Sequence, residues 1–355
     1  MSASFPRKPA APALRLGAFG PAALDLELPP GGRCALLGPA GAGKSALLAA
    51  LAGLAPADGG TLEIAGRSAR TLPPHRRGLA LVLPGDGPLP GHGVAASVAF
   101  AAADRDLAGA ALTAFGLTAV RDRLAGALSR AEAVRAALAR AVATAAPLLL
   151  LDDPCAGLDQ AEARGVLALL AAWLAAHPAA VLLATREPAQ AFALGGEVAL
   201  LAGGRLVQRG PVQAVFDAPL SPLAARLLGP VTLLPGTVAT AEEDFATVAL
   251  ACGPVVEAAP VPPEKKGTAC VLALRPRRIA LSAGPAAEMG AGALPARLLA
   301  ATPLGEEVRF ELALGDPPAT LTVLRPAGAP PPGAVGGEVA VAWQPDHARI
   351  LSPMP

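Results

Sequence analysis

Short apolar blocks punctuated by Gly and Pro fill the first 230 positions, and their period changes along the chain. Leu24-Asp25-Leu26-Glu27-Leu28 alternates apolar and acidic residues, as a half-buried strand does. The turn Pro29-Pro30-Gly31-Gly32 leads into residues 34–37, an unbroken apolar run that predicts a strand. Residues 46–52 form helix and stop at Gly53, and the turn signal Asp58-Gly59-Gly60 introduces strands at 61–65 and 79–83. A Gly- and Pro-dense loop follows at 84–93, then a helical, alanine-rich stretch at 94–145. Further apolar strands are expected at 148–151 and 181–184, a helix at 160–176, a hairpin of 198–201 with 205–208 around Gly203-Gly204, and short helices at 211–228.

One stretch tests the pattern. Residues 165–185 contain no Asp, Glu, Lys or Arg, enough length to span a bilayer. His177-Pro178 cuts the run into a helical half and a strand-like half, each too short to cross, so a buried helix and a core strand are expected instead. From about residue 233 the texture becomes short alternating segments, clearest at 247–250, 271–274, 308–314 and 339–343. Residues 234–238 are echoed by 294–298, 60 positions later, and 276–282 by 345–352. Two similar β units predict a pair of small barrels of the oligonucleotide/oligosaccharide-binding kind, with chance similarity as the alternative.

Composition changes the picture little. The 355-residue chain is long enough for two or three domains. It is 53% hydrophobic with 3% aromatics and no tyrosine, so Ala, Leu and Val must fill its cores. A net charge of +1 gives no general case for nucleic acid. Cys34, Cys155, Cys252 and Cys270 are scattered without a C-x-x-C pair, which argues against a disulfide framework and fits a reducing cytoplasm. Residues 1–14 are proline-rich and lack the apolar core of a signal peptide.

The chemistry begins at Gly38-Pro39-Ala40-Gly41-Ala42-Gly43-Lys44-Ser45, a complete G-x-x-x-x-G-K-[ST] phosphate loop between a strand and a helix. Glycines let backbone N–H groups converge on phosphate oxygens at a helix N-terminus. Lys44 is placed to reach the β- and γ-phosphates, and Ser45 to offer its hydroxyl to Mg²⁺. Asp152 follows the buried strand 148–151, at the carboxyl end of a parallel sheet, and can share that metal with Ser45. A nucleoside triphosphate with Mg²⁺ is the expected ligand.

Together with Leu128-Ser129-Arg130-Ala131-Glu132 leading to Arg135 and residues 138–141, residues 148–154, and Ala156-Gly157-Leu158-Asp159, the loop resembles the ordered motifs of an ABC transporter nucleotide-binding subunit. The resemblance covers about residues 14–228. Residues 228–238 and 274–279 resemble the C-terminal TOBE domain of importer ATPases, most of all the polyamine (spermidine/putrescine) and ferric-iron group. It implies a P-loop α/β ABC domain over residues 1–230, with a RecA-like core, an antiparallel β lobe and a helical lobe at about 86–145. An all-β domain of two OB-like repeats follows over 231–355. It also implies ATP and Mg²⁺ as cofactors, and a second ATPase subunit (identical or not), with ATP sandwiched between the phosphate loop of one subunit and the signature motif of the other. A membrane permease, contacted through residues 84–93, and indirectly an extracytoplasmic solute-binding protein complete the set, with the chain peripheral on the cytoplasmic membrane face.

Carried onto single positions, the resemblance places Phe19 where an aromatic stacks on adenine, with a core phenylalanine as the alternative. Asp153 stands where the catalytic glutamate belongs, shorter by one C–C bond of about 1.5 Å. Pro84 replaces the metal-side glutamine, leaving Asp86 as the nearby substitute, and Arg186 replaces the switch histidine. The signature motif lacks both glycines. Ser129 either senses phosphate or, with Glu132, starts the next helix as a capping box. Arg130 is either solvated or faces a partner's γ-phosphate as an arginine finger. Two functions are therefore open: an ATP-hydrolysing importer subunit, or a non-hydrolysing ATP-binding subunit with a regulatory or structural role.

Overall fold

The computed structural model describes residues 11–20, 23–57, 59–242, 246–259, 266–289 and 292–353. The first ten residues of the proline-rich start, and Asp58 of the expected turn, lie outside them. The chain divides into two compact units, Met1–Gln213 and Ala214–Pro355.

The first unit runs β1 (Leu14–Phe19), β2 (Leu24–Leu28), β3 (Arg33–Leu37), α1 (Lys44–Ala52), β4 (Thr61–Ile64), β5 (Arg67–Ser68), β6 (Leu79–Val82), α2 (Val94–Ala101), α3 (Arg105–Ala114), α4 (Arg130–Ala143), β7 (Leu148–Asp152), α5 (Gln160–Ala176), β8 (Ala180–Thr185), α6 (Pro188–Leu194), β9 (Glu197–Ala202) and β10 (Arg205–Pro211). Its main sheet has the order β10-β9-β3-β8-β7-β6. The strands from β9 to β6 are parallel, and β10 closes the edge antiparallel to β9. A smaller antiparallel sheet has the order β2-β1-β4-β5.

Local sequence explains these elements. β7 and β8 are buried at every position, matching their unpunctuated apolar runs. β2 alternates buried and exposed along Leu24–Leu28, as its alternating sequence requires. The charge-free stretch resolves at His177 and Pro178 into α5 and β8. Among the described residues no helix is long and apolar enough to cross a membrane. α5 starts on a reciprocal capping box between Asp159 and Glu162, and Trp173 on it is nearly buried. The parallel sheet brings the carboxyl ends of β3, β7 and β8 side by side, so residues 38–45, Asp152 with Asp153, and Arg186 emerge at one edge.

The second unit contains β11 (Thr232–Ala241), β12 (Ala246–Leu250), β13 (Val255–Ala258), β14 (Ala269–Leu274), β15 (Ala280–Ala283), β16 (Leu294–Pro303), β17 (Glu307–Leu314), β18 (Ala319–Pro326), β19 (Glu338–Ala342) and β20 (Ala348–Leu351). They form two five-stranded antiparallel sheets, ordered β13-β12-β11-β14-β20 and β15-β19-β16-β17-β18. The echoed segments hold equivalent places: residues 234–238 lie in β11 and 294–298 in β16, the central strand of each sheet. The second echo opens each time on a short 3₁₀ turn, Pro276–Arg278 or Pro345–His347, followed by an edge strand. These edge strands are exchanged: β15 pairs with β19 and β20 with β14. Each half of the repeat thus completes the other's sheet. One apolar cluster, including Leu234, Leu272, Leu298, Leu312 and Val341, is shared by both. Leu281 of β15 and Ala348 and Ile350 of β20 belong to that cluster, so each exchanged strand also contributes to the common core.

Candidate functional site

The loop between β3 and α1 owes its shape to its glycines. Gly38 is wedged against the backbone of β9, where a Cβ would collide with the Leu201 carbonyl oxygen. Gly41 and Gly43 stand in open space at φ 76 and 92, so there the left-handed backbone itself requires glycine. Gly43 precedes α1 without a side-chain cap, leaving no side chain over the first turn's N–H groups. Pro39, Ala40 and Gly41 line the exposed rim, while Ala42 packs inward. Lys44, 8% exposed, donates from Nζ to the carbonyls of Gly38 at 2.7 Å and Pro39 at 2.9 Å. Burial lowers the pKa of this ammonium, opposed in part by Asp153.

Ser45 Oγ donates to Asp152 Oδ1 at 2.9 Å. Asp152 is 6% exposed at the end of β7. A hydroxyl and a carboxylate converging at the loop's edge are the hard oxygen donors that Mg²⁺ selects, and two protein ligands with phosphate and water oxygens are its usual set. The residues present fit that ion.

Asp153 lies one residue further on, at φ 42, a left-handed conformation that Asp tolerates better than most residues. Its N–H donates to the Ala184 carbonyl at 2.8 Å, anchoring it beside β8. Its carboxylate pairs with Arg186 Nη2 at 3.7 Å, where the arginine side chain is 59% exposed. Burial raises the Asp153 pKa, and Arg186 opposes the shift. Behind Arg186, Thr185 Oγ1 donates to Gln190 Oε1 at 2.9 Å and accepts from the Glu187 N–H at 3.0 Å, fixing the start of α6. Asp153 and Arg186 are therefore brought together as an ion pair.

Three expectations change. Phe19 is fully buried in the apolar cluster with Leu14 and Leu24, so its ring has no face open to a base and the core alternative holds in this structure. Asp86 does not stand free to replace the glutamine: it accepts from the Leu83 N–H at 3.0 Å and pairs with Arg140 at 3.6 Å, closing the turn around Pro84. Arg130 is exposed but not merely solvated, since its Nε and Nη2 donate to the Ala156 carbonyl at 2.8 and 2.6 Å. Ser129 caps α4 reciprocally with Glu132, accepting from its N–H at 3.2 Å and donating its own N–H to Oε2 at 2.7 Å. That bond holds the Glu132 carboxyl below the usual range.

One supporting residue had no local signal in the sequence. Arg77 is nearly buried and donates to the carbonyls of Ala50 and Leu51, both at 2.7 Å, and of Leu72 at 2.9 Å. Its guanidinium lies against Gly53, where a Cβ would sit 2.7 Å from Cζ. A side chain 26 or more residues away in sequence thus satisfies the last carbonyls of the phosphate-loop helix.

Comparison with known proteins gives this arrangement its relatives. The ABC transporter family model matches residues 22–156, and the TOBE domain model matches residues 272–351. An Fe(3+) ions import ATP-binding protein of Streptomyces avermitilis is 34% identical over 61% of this chain and 65% of its own length. A sulfate/thiosulfate import ATP-binding protein of Mycobacterium bovis is 36% identical over 61% of this chain and 64% of its own. The chain thus spans slightly under two thirds of these curated relatives. A spermidine/putrescine import ATP-binding protein of Frankia alni is 29% identical over 92% of this chain and 74% of its own length. Among solved structures, cbiO1 from Clostridium perfringens, part of the ABC transporter complex cbiONQ, shares the fold with a TM-score of 0.52 and 21% identity, over 58% of this chain and 90% of that one. The two family models follow one another in the order of the two folded regions: residues 22–156 match the ABC transporter family and residues 272–351 the TOBE domain.

Proposed function

We propose that the chain binds and hydrolyses ATP with Mg²⁺ as the nucleotide-binding subunit of an importer. The observation that carries this is the Ser45–Asp152 contact of 2.9 Å at the edge of a complete phosphate loop. In this scheme the loop's N–H groups and Lys44 hold the phosphates, and Ser45 and Asp152 hold the metal. Asp153 orients the attacking water, while Arg186 serves as a fixed cation beside it, because a guanidinium keeps its proton at neutral pH. Two such subunits, identical or paired with another ATPase, would sit on the cytoplasmic face of the membrane beneath a permease fed by an extracytoplasmic binding protein. Residues 84–93 are the proposed permease contact, and nucleic acid has no part.

A polyamine is the favoured cargo. The alignment with the spermidine/putrescine relative runs over 92% of the chain, through the β domain, whereas the iron and sulfate relatives align over 61%. Steady-state ATP hydrolysis by the purified chain, alone and with its permease, tests the reading with Asp152→Ala as control. Turnover clearly above the control in either setting is expected. Turnover no higher than the control in both would overturn it.

A further inference from the structure

The turn that carries Asp153 is held from a different helix. The Ala156 N–H donates back to the Asp153 carbonyl at 3.0 Å, closing residues 153–156 into one turn. The Ala156 carbonyl, on the other side of the same residue, accepts both Nε and Nη2 of Arg130. Arg130 is the first residue of α4, and its backbone is fixed by the Ser129–Glu132 capping box immediately beside it. The next residue, Gly157, has φ 78, and a Cβ there would lie 2.7 Å from Arg130 Nε and 3.0 Å from Cζ. The guanidinium therefore lies directly over the glycine, and the two residues are matched in shape. Asp153 occupies a left-handed conformation that persists only where surrounding structure holds it. Two charge-assisted donors on one carbonyl supply such a hold.

We propose that Arg130 is a positioning residue acting within its own chain: by fixing Ala156 it sets the place of the Asp153 carboxylate. The guanidinium engages the loop carbonyl, not a nucleotide. The proposal rests on the reading above for one point, that Asp153 serves ATP turnover. Misplacing a reacting group by about 1 Å lowers a rate by around a hundredfold, while ground-state binding by the separate phosphate loop is left intact. A loosened turn therefore shows in kcat and not in KM.

The test uses the full chain with Arg130→Ala, Arg130→Lys, Gly157→Ala and the Arg130→Ala/Gly157→Ala pair. kcat, KM and binding of a fluorescent ATP analogue are measured, together with hydrogen exchange across residues 153–158. Arg130→Ala is expected to lower kcat about tenfold, with KM and affinity within about twofold, and to speed exchange at Ala156 and Leu158. Arg130→Lys, which keeps one charged donor, falls between. Gly157→Ala displaces the guanidinium and also strains a backbone at φ 78, so the pair should exceed Arg130→Ala but fall short of the sum of the two single effects. Unchanged exchange in Arg130→Ala overturns the proposal, as does unchanged kcat. Weakened analogue binding with unchanged exchange also overturns it and assigns Arg130 to the nucleotide. A wild-type chain that splits no ATP counts against the proposed function, and the exchange comparison still decides whether Arg130 holds the turn.

Discussion

The two halves of the proposed nucleotide site are built by different means. The phosphate-loop half is made of consecutive residues, and its shape is backbone: positive-φ glycines, a glycine pressed on β9, and Lys44 folded onto carbonyls of its own loop. The carboxylate half is made of side chains brought from separate elements. Asp153 meets Arg186 across two strands, and the turn beneath Asp153 is held by Arg130 from α4. The first half keeps an exposed rim but buries Lys44 and fixes it on the loop's own carbonyls, while the second is partly exposed and depends on charge pairing. Binding should therefore be robust to changes in the second half, and turnover should not.

The largest expected effect falls on the first half. Lys44→Ala removes the one ammonium in the loop, and a charged hydrogen bond to phosphate contributes about 1.5–3 kcal/mol. Affinity for ATP, read by titration calorimetry, should fall by about a hundredfold, with the nucleotide-free chain melting a few degrees lower because the Gly38 and Pro39 carbonyls lose their donor. A variant that binds as well as wild type would break the comparison at its root.

The next effect separates the halves. Asp153→Asn should lower kcat by about a hundredfold and leave ATP affinity within about twofold, since only the carboxylate half changes. It should also not destabilise the fold. Burial raises the Asp153 pKa, so the folded chain binds that proton more tightly than the unfolded one. Its contribution to stability is present below the unfolded carboxyl value and lost as pH rises through the folded value. At neutral pH the ionised carboxylate is thus a net burden that asparagine removes, and asparagine accepts the left-handed φ as readily. Thermal melts at pH 7 should show an equal or higher midpoint. A lower midpoint would mean that the ion pair, and not desolvation, dominates at this residue.

How far the sequence reveals the molecule follows the same division. The phosphate loop, the fully buried β7 and β8, and the break at His177 and Pro178 are local features, and periodicity or a glycine pattern announces them. Asp152 is legible for the same reason, as the first polar residue after an apolar strand. The contacts that complete the site join residues far apart in the chain: Arg130 to Ala156, Arg77 to Ala50, Asp153 to Arg186. No period encodes these, and a lone arginine reads alike whether solvated or bonded. Phe19 illustrates the opposite error, because a motif position does not say whether a ring faces a ligand or the core. In the β unit, alternation marks the strands and the echoed segments mark the repeat. The exchange of β15 and β20 stays hidden, because each follows the same kind of Pro-led turn and nothing local says which sheet it joins.

The smallest effect is the most discriminating. The Arg186–Asp153 pair is long and its arginine is largely exposed, and exposed pairs contribute about 0–1 kcal/mol. Arg186→Ala should therefore move the melting midpoint by less than about 3 °C. Its effect belongs in the pH profile. Arg186 opposes the burial that raises the Asp153 pKa, so removing it lets that value climb and shifts the acid limb of kcat to higher pH. Arg186→His should add a second limb near the ordinary imidazole value of about 6.5, because a group that titrates then stands where a fixed cation stood. A large loss of stability in Arg186→Ala would make the pair part of the scaffold and erase the contrast between the halves. An unmoved acid limb would show that burial, with Asp152, Lys44 and Glu187, sets the Asp153 charge state without Arg186, removing the charge pairing on which the carboxylate half is said to depend.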